Sequence, residues 1–326
     1  MKLQNLLLAG LAVAVGMQAL PGVASAQGLQ GGKPITIVVP FPPGGTSDLM
    51  GRIMAKGMSK RLGVPVVVDN KGGGGTLIGS QHVARAEPDG HTLLLAATPH
   101  AINASLYKNI PYNTRKDFRT VAYMAEMPLM LAVPADSEYK TVQQLVDDIK
   151  SGKKELTYGS SGIGGSPHLA TELFLKPIGG QAAHVPYRGS NPAVMDLAAG
   201  RTTFAFDTLY LIMTQVEAGK LRPLAHTGTQ RHPRVPDVPT LSESGFPDYN
   251  VTSWFSIAAP GATPDAVVET LNQAINDTLK DPEVVDFLTK QGMMITGGSA
   301  KDAQARLLKE IDTWEQAVKI SGASMD

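Results

Sequence analysis

Ile35-Thr36-Ile37-Val38-Val39-Pro40-Phe41-Pro42-Pro43-Gly44-Gly45-Thr46-Ser47-Asp48 begins as an apolar, β-branched run and breaks into Pro, Gly and hydroxyl residues before a helix-like stretch follows. The run predicts a strand. Thr46 or Ser47 can cap a helix whose apolar positions Leu49, Ile53, Met54, Met58 and Leu62 form one stripe, and Gly63 can close it. Such a turn presents backbone N–H groups where peptide dipoles add and no intrahelical acceptor exists, so it is a potential anion cradle. Pro42-Pro43 stiffens the approach, and Gly44-Gly45 removes side chains that would keep a ligand away from the backbone. A tight strand-to-helix connection with ordinary capping would use the same residues.

The construction recurs at Leu156-Thr157-Tyr158-Gly159-Ser160-Ser161-Gly162-Ile163-Gly164-Gly165-Ser166-Pro167-His168, where Pro167 suits a first helical position. The two turns lie about one domain's worth of chain apart, so they fit different lobes that face one ligand. Elsewhere, apolar strand-like runs at residues 64–69, 92–97, 129–133, 183–187, 203–207, 221–227 and 251–259 alternate with helix-like runs, including 141–150, 192–199, 264–280 and 300–320. Several strands are continuous rather than alternating, as expected when both faces are covered, and the fold class is α/β. Crossovers near residues 128 and 252 would assign 27–127 plus 252–326 to lobe 1 and 128–251 to lobe 2, a pair of connections that permits hinge closure.

The amino terminus reads as an export signal. Lys2 precedes an uncharged apolar run ending near Leu20, then Pro21-Gly22 and Ala24-Ser25-Ala26, which predicts a signal peptide over 1–26 cleaved after Ala26. The run is shorter than the ~20 residues of a comfortable membrane span. No Cys occurs among the 326 residues, which removes disulfides, thiolate catalysis and thiolate-ligated zinc. The 29 basic and 29 acidic residues balance, and loss of Lys2 leaves the mature chain at −1. No clustered positive field points to nucleic acid or an anionic membrane surface.

Other motifs narrow the chemistry. Neither loop fits the phosphate-binding G-x-x-x-x-G-K-[ST] or the dinucleotide G-x-G-x-x-G pattern, so no nucleotide cofactor is implied. The second loop is not a G-x-S-x-G elbow, because Ile163 stands two after Ser161. The seven His residues are scattered without metal-ligand spacing. His168 sits where the helix after the second loop would aim it at the cleft, though a capping or core role fits equally. Arg188, in Tyr187-Arg188-Gly189-Ser190-Asn191-Pro192, can grip a carboxylate with two parallel hydrogen bonds or stand exposed. Asp207, at a strand end, can cap a helix or accept from a ligand amine or hydroxyl, but it would repel a bare carboxylate.

The ordered series Ile37 to Gly45, Val66-Val67-Val68-Asp69-Asn70-Lys71, Pro88-Asp89-Gly90-His91-Thr92-Leu93-Leu94, His100-Ala101-Ile102-Asn103, Ser166 to Phe174, His184-Val185-Pro186-Tyr187-Arg188-Gly189 and Ser253-Trp254-Phe255 resembles the Bug-type solute receptors of tripartite tricarboxylate transporters. The resemblance spans essentially the whole mature chain. It implies a monomeric, two-lobed periplasmic-binding fold of type II, each lobe a mostly parallel sheet flanked by helices. It further implies capture of a small carboxylate in the periplasm and delivery to membrane permease subunits, without cofactor or metal. Carried over by position, the first-lobe contacts are Phe41, Gly44, Gly45, Thr46 and Ser47, with Thr98 nearby. The second-lobe contacts are Ser160, Ser161, Gly165, Ser166 and His168, with Arg188 and Asp207 lining the cleft. Two departures stand out: the family often has a third Gly and then Thr-Asp in the first loop, where this chain has Gly44-Gly45-Thr46-Ser47-Asp48, and Arg188 stands where Lys is frequent. Two other readings share these residues. One is an exported serine hydrolase with His168 as base, which lacks an oriented acid; the other is a solute sensor that docks to a signalling receptor.

Overall fold

The computed structural model describes residues 29, 32–247, 249 and 251–325. The proposed leader and its cleavage site at Ala26 lie outside them. Strand β1 (Ile35–Val39) pairs in parallel with β2 (Val66–Asn70) and β3 (Thr92–Ala97). Successive β1 side chains enter opposite cores: Val38 packs with one apolar cluster, while Ile35, Ile37 and Val39 pack with the other. That burial on both faces is why the run is continuously apolar.

Two long strands carry the chain between lobes. β4 (Phe118–Pro134) pairs with β9 (Thr252–Pro260) as far as Pro128, and from Leu129 onward with β7 (Ala205–Thr208) and β8 (Leu221–His226). The sheet is therefore mixed. The parallel expectation holds for β1, β2 and β3, and for β5 (Thr157–Ser160) with β6 (Ala183–Pro186). The crossing strands are antiparallel because one leaves the first lobe and the other returns to it, side by side. A short strand β10 (Met294–Ile295) covers the edge of β4.

Helices flank both faces. α1 (Thr46–Leu62) lies against α8 (Asp265–Leu279), while α10 (Ala300–Ser321) packs against α3 (Thr98–Leu106), β4 and α5 (Ser166–Ile178). Glu310 of α10 accepts from the indole N–H groups of Trp254 (2.9 Å) and Trp314 (3.0 Å), which fastens this helix to the returning strand. Phe118–Pro134 is one strand where the sequence indicates only 129–133 and a crossover near 128, and α2 (Leu77–Ala84) and α3 are helices the periodicity did not reveal. Among the described residues no helix is long and apolar enough to cross a membrane.

Candidate functional site

Five helices begin around one cavity of about 240 Å³ between the lobes: α1, α3, α5, α6 (Ser190–Ala198) and α7 (Leu209–Glu217). Each follows the carboxyl end of a strand, where ligands of open α/β sheets bind. Each also directs the positive end of its peptide dipoles at the space. The sequence singles out the α1 and α5 starts as anion cradles and reads helices at α6 and α7 without that role; α3, α6 and α7 bring in Pro99, Ser190, Asn191 and Thr208, and Ser253 and Phe255 of β9 complete the wall.

The first loop is held by its acid. Asp48 accepts from the Gly44 N–H, Arg52 Nε and Asn70 Nδ2, each at 3.0 Å, and Asn70 also donates to the Phe41 carbonyl at 3.2 Å. Burial raises Asp48, but the hydrogen bonds from Arg52, Gly44 and Asn70 and the charge of Arg52 outweigh it and keep the carboxyl below its ordinary range. Gly44 is thus spent on the brace, at φ +88, whereas Gly45, Thr46 and Ser47 line the cavity. The Gly45 backbone (φ −88, ψ 176) is ordinary, and a Cβ there would meet nothing within 4 Å.

In the second loop, Ser161 and Ser166 reach the same cavity. Gly165 lets Ser161 fold inward, since a Cβ at Gly165 would lie 2.5 Å from Ser161 Oγ. Gly165 and Ser161 also border an adjoining space of about 670 Å³, shared with Phe41, Tyr187 and Arg188. Arg188 is exposed, lines both spaces and has no ion pair or hydrogen-bond partner among the described residues.

Asp207 lines the cavity although only 1% of its surface is exposed. Burial pushes its carboxyl up to about 6, against the pull of hydrogen bonds from Thr208 and Ser190. The Thr208 N–H donates to it at 2.7 Å. The lobes meet here: Thr46 Oγ1 and Thr208 Oγ1 are 3.0 Å apart, Pro42 lies against Gly189, and Leu106 fills the space at Gly164.

Three expected residues lie behind the wall. Thr98 is fully buried, and its hydroxyl accepts from the Trp254 N–H at 3.0 Å, anchoring the returning strand. Ser160, also fully buried, bonds to His184 Nε2 (2.6 Å) and to the backbone of Gly162. His168 accepts from the Gly164 N–H at 3.1 Å and stacks on His184. Ser160 and His184 are a Ser–His pair, but one lodged beneath the loop with no carboxylate bonded to the imidazole among the described residues, so these do not form a nucleophilic triad. No cluster of three or more metal-ligating side chains occurs among the described residues.

Two lobes, a double-stranded hinge and an anion-favouring cavity at the strand ends define a solute-binding protein. Residues 50–322 match the tripartite tricarboxylate transporter family receptor model. The chain is 33% identical to the protein BugT of Bordetella pertussis, with 90% of each chain covered. Among solved structures it is similar to the periplasmic binding protein BugD (31% identity, TM-score 0.84, covering 90% of this chain and 99% of that one). It is also similar to Rpa4515 of Rhodopseudomonas palustris, solved with adipate (35%, 0.86, 90% and 98%), and to MatC of the same organism, solved with malate (29%, 0.83, 88% and 99%). The chain belongs to the tripartite tricarboxylate transporter receptor family. It is a periplasmic-type solute-binding protein and not an enzyme.

Proposed function

We propose that the protein, exported and cleaved after Ala26, captures a small carboxylate between lobe 1 (27–127 plus 252–326) and lobe 2 (128–251). It then delivers that solute, as a monomer, to the permease subunits of a tripartite transporter. The change of β4 partners at Pro128 and Leu129, with Thr252 opposite Pro128, supports these lobe limits. The observation that carries the ligand class is the ring of five helix starts around a cavity edged by the unpaired Arg188. Dipoles of roughly half a charge at each start favour an anion without fixing it irreversibly. The adipate and malate held by similar proteins fit that chemistry.

The direct contacts in this reading are Phe41, Gly45, Thr46, Ser47, Ser161, Ser166 and Arg188, while Gly44, Thr98, Ser160, Gly165 and His168 support the walls. Asp207 selects among acids: it accepts from a ligand hydroxyl or ammonium, or shares a proton with a carboxyl group. Charge-assisted hydrogen bonds contribute about 1.5–3 kcal/mol each, so a few of them, offset by closure costs, suffice for roughly micromolar binding.

The test is a thermal-shift screen of mono-, di- and hydroxycarboxylates against neutral and cationic solutes. A ligand at 100 times its Kd adds about 2.7 kcal/mol of stability. Stabilisation by non-carboxylates alone would remove this reading, and turnover of esters would restore the hydrolase.

A further inference from the structure

The second loop is shaped from beneath by two histidines that neither space includes among its lining residues. The loop needs such support, since Gly162 (φ +124) and Gly164 (φ +74) hold left-handed backbone that an unbraced chain would leave readily. Its own hydrogen bonds are few: the Gly165 N–H reaches the Gly162 carbonyl at 3.1 Å, and the Ser160 hydroxyl closes on Gly162.

His168 stands in the first turn of α5 and reaches back past the helix start, its Nδ1 accepting from the Gly164 N–H at 3.1 Å. Accepting there requires a bare lone pair on Nδ1, so the ring is neutral with its proton on Nε2. His184, on β6, places Nε2 2.6 Å from Ser160 Oγ. The Ser160 hydroxyl also meets the carbonyl and the N–H of Gly162, each at 3.1 Å, and the tautomer of His184 decides which of Ser160 and His184 donates. The imidazoles lie face to face, with centroids 4.2 Å apart and planes 16° from parallel. Tyr158 of β5 stacks on His184 at 4.7 Å and on His168 at 6.3 Å, and donates to Glu172 of α5 at 2.5 Å. Glu172 Oε1 in turn lies 4.0 Å from His168 Nε2.

We propose that His168 and His184 are positioning residues: a stacked pair of neutral imidazoles that fixes residues 160–165 in the conformation presenting Ser161 and Ser166 to the cavity. The consequence for affinity rests on the proposed carboxylate site, whereas the bracing itself does not. Charging His168 puts an N–H where Gly164 needs an acceptor, and charging both sets like charges 4.2 Å apart. Of the titratable groups facing the pair, Glu172 favours the charged form and Tyr158 stays neutral. Burial nevertheless holds both rings down to about 4. Acidification therefore loosens the loop, and neutral solution locks it.

The experiment uses the mature chain labelled for NMR, with Gly164 amide exchange at pH 7 corrected for its intrinsic rate. His168→Leu should exchange at least about tenfold faster, a change equivalent to ~1.4 kcal/mol. His168→Gln should restore the slow rate, because a first-turn glutamine oxygen can accept from the same amide. Equal exchange in wild type and His168→Leu would overturn the proposal. Should His168→Leu not fold, the wild type decides: protection at Gly164 must fall as the His168 ring signal titrates, and protection that persists on a charged His168 would also overturn it. Adipate is the affinity probe. Weaker binding in His168→Leu with recovery in His168→Gln supports the proposal, whereas equal binding in both refutes its functional half. Failure of adipate to bind even wild type counts against the ligand assignment, while exchange still decides the bracing.

Discussion

Gly45→Val should abolish ligand binding while leaving the protein folded. The backbone at Gly45 (φ −88, ψ 176) is a conformation that β-branched residues favour, and its Cβ would meet no heavy atom within 4 Å. The added isopropyl group would stand in a cavity of about 240 Å³, over the amides of the α1 start. Two charge-assisted hydrogen bonds lost at about 1.5–3 kcal/mol each give ~3–6 kcal/mol, or at least a hundredfold loss of affinity. The melting temperature should hold or rise slightly, since replacing Gly at a compatible site lowers unfolded-chain entropy. Gly44→Ala is the contrast. Its φ of +88 costs an L-residue about 1–2 kcal/mol, and its Cβ would sit 3.3 Å from Asn191 Nδ2, so it should lower the melting temperature. Calorimetric titration with the best acid from the screen, alongside thermal melts, separates the two. A Gly45→Val protein that binds within threefold of wild type would refute the cradle at α1, whatever its stability.

Arg188→Met should weaken dicarboxylate binding by about 10- to 100-fold, and Arg188→Lys by less, because a two-oxygen contact needs the planar fork; titration of each variant checks this. Gly164→Ala would put a Cβ 1.8 Å from Leu106 Cδ2, so the lobes should close poorly, and Leu106→Ala should restore part of the lost affinity. Scattering from the ligand-saturated variant should then report a larger radius than that of wild type. Asp207 is raised from 3.8 to about 6, so the folded state binds its proton more tightly than the unfolded chain. That stability is present below pH 4 and lost as pH rises through 6, up to about 3 kcal/mol. Asp207→Asn should therefore stabilise the protein at pH 8 and not at pH 4, and chemical denaturation at both values tests it. His100, His168, His184 and His226 are all held down to about 4 by burial, so their contribution runs the other way: fully present above pH 6.5 and lost as pH falls towards 4. A melting temperature that stays flat between those values in an Asp207→Asn background would contradict the buried neutral histidines.

The strands that proved easiest to read were short and mostly apolar, such as 35–39 and 92–97, because burial on both faces writes itself as a nearly unbroken apolar run. The first half of β4 was missed because Ala122, Met124, Ala125, Glu126 and Met127 interrupt the strand-favouring Phe118, Thr120, Val121 and Tyr123, and pairing with β9 carries the strand through them. The site was legible wherever a strand broke into Gly and Ser. It was illegible where direction mattered: His168 and Ser160 occupy the predicted loop yet turn inward to Gly164 and His184, and no spacing along the chain records which way a side chain leaves a helix start. Asn70, which clamps Phe41 and Asp48 together, lies at the end of β2 and gave no signal of its own beyond its place in the family series.

The contacts that join the lobes explain why the loops are built from such small residues. Around the cavity they include one hydroxyl pair, Thr46 with Thr208, the close approach of Gly44 to Asn191, and apolar touches of Pro42 on Gly189 and Leu106 on Gly164. In the proposed reading these contacts at the cleft are too few to hold it shut, and a ligand with greater affinity for the closed state than for the open one favours closure. On the proposed function a carboxylate would supply that difference, because the helix starts of α1 and α5 come from opposite lobes and one anion can satisfy both only when they are near. A side chain at Gly164 or Gly44 would hold the lobes apart by the thickness of a methyl group, and the second set of donors would fall out of reach. The glycines therefore set the distance at which binding and closure become the same event. The buried Asp207, partly protonated near neutral pH, makes that event sensitive to what else the acid carries.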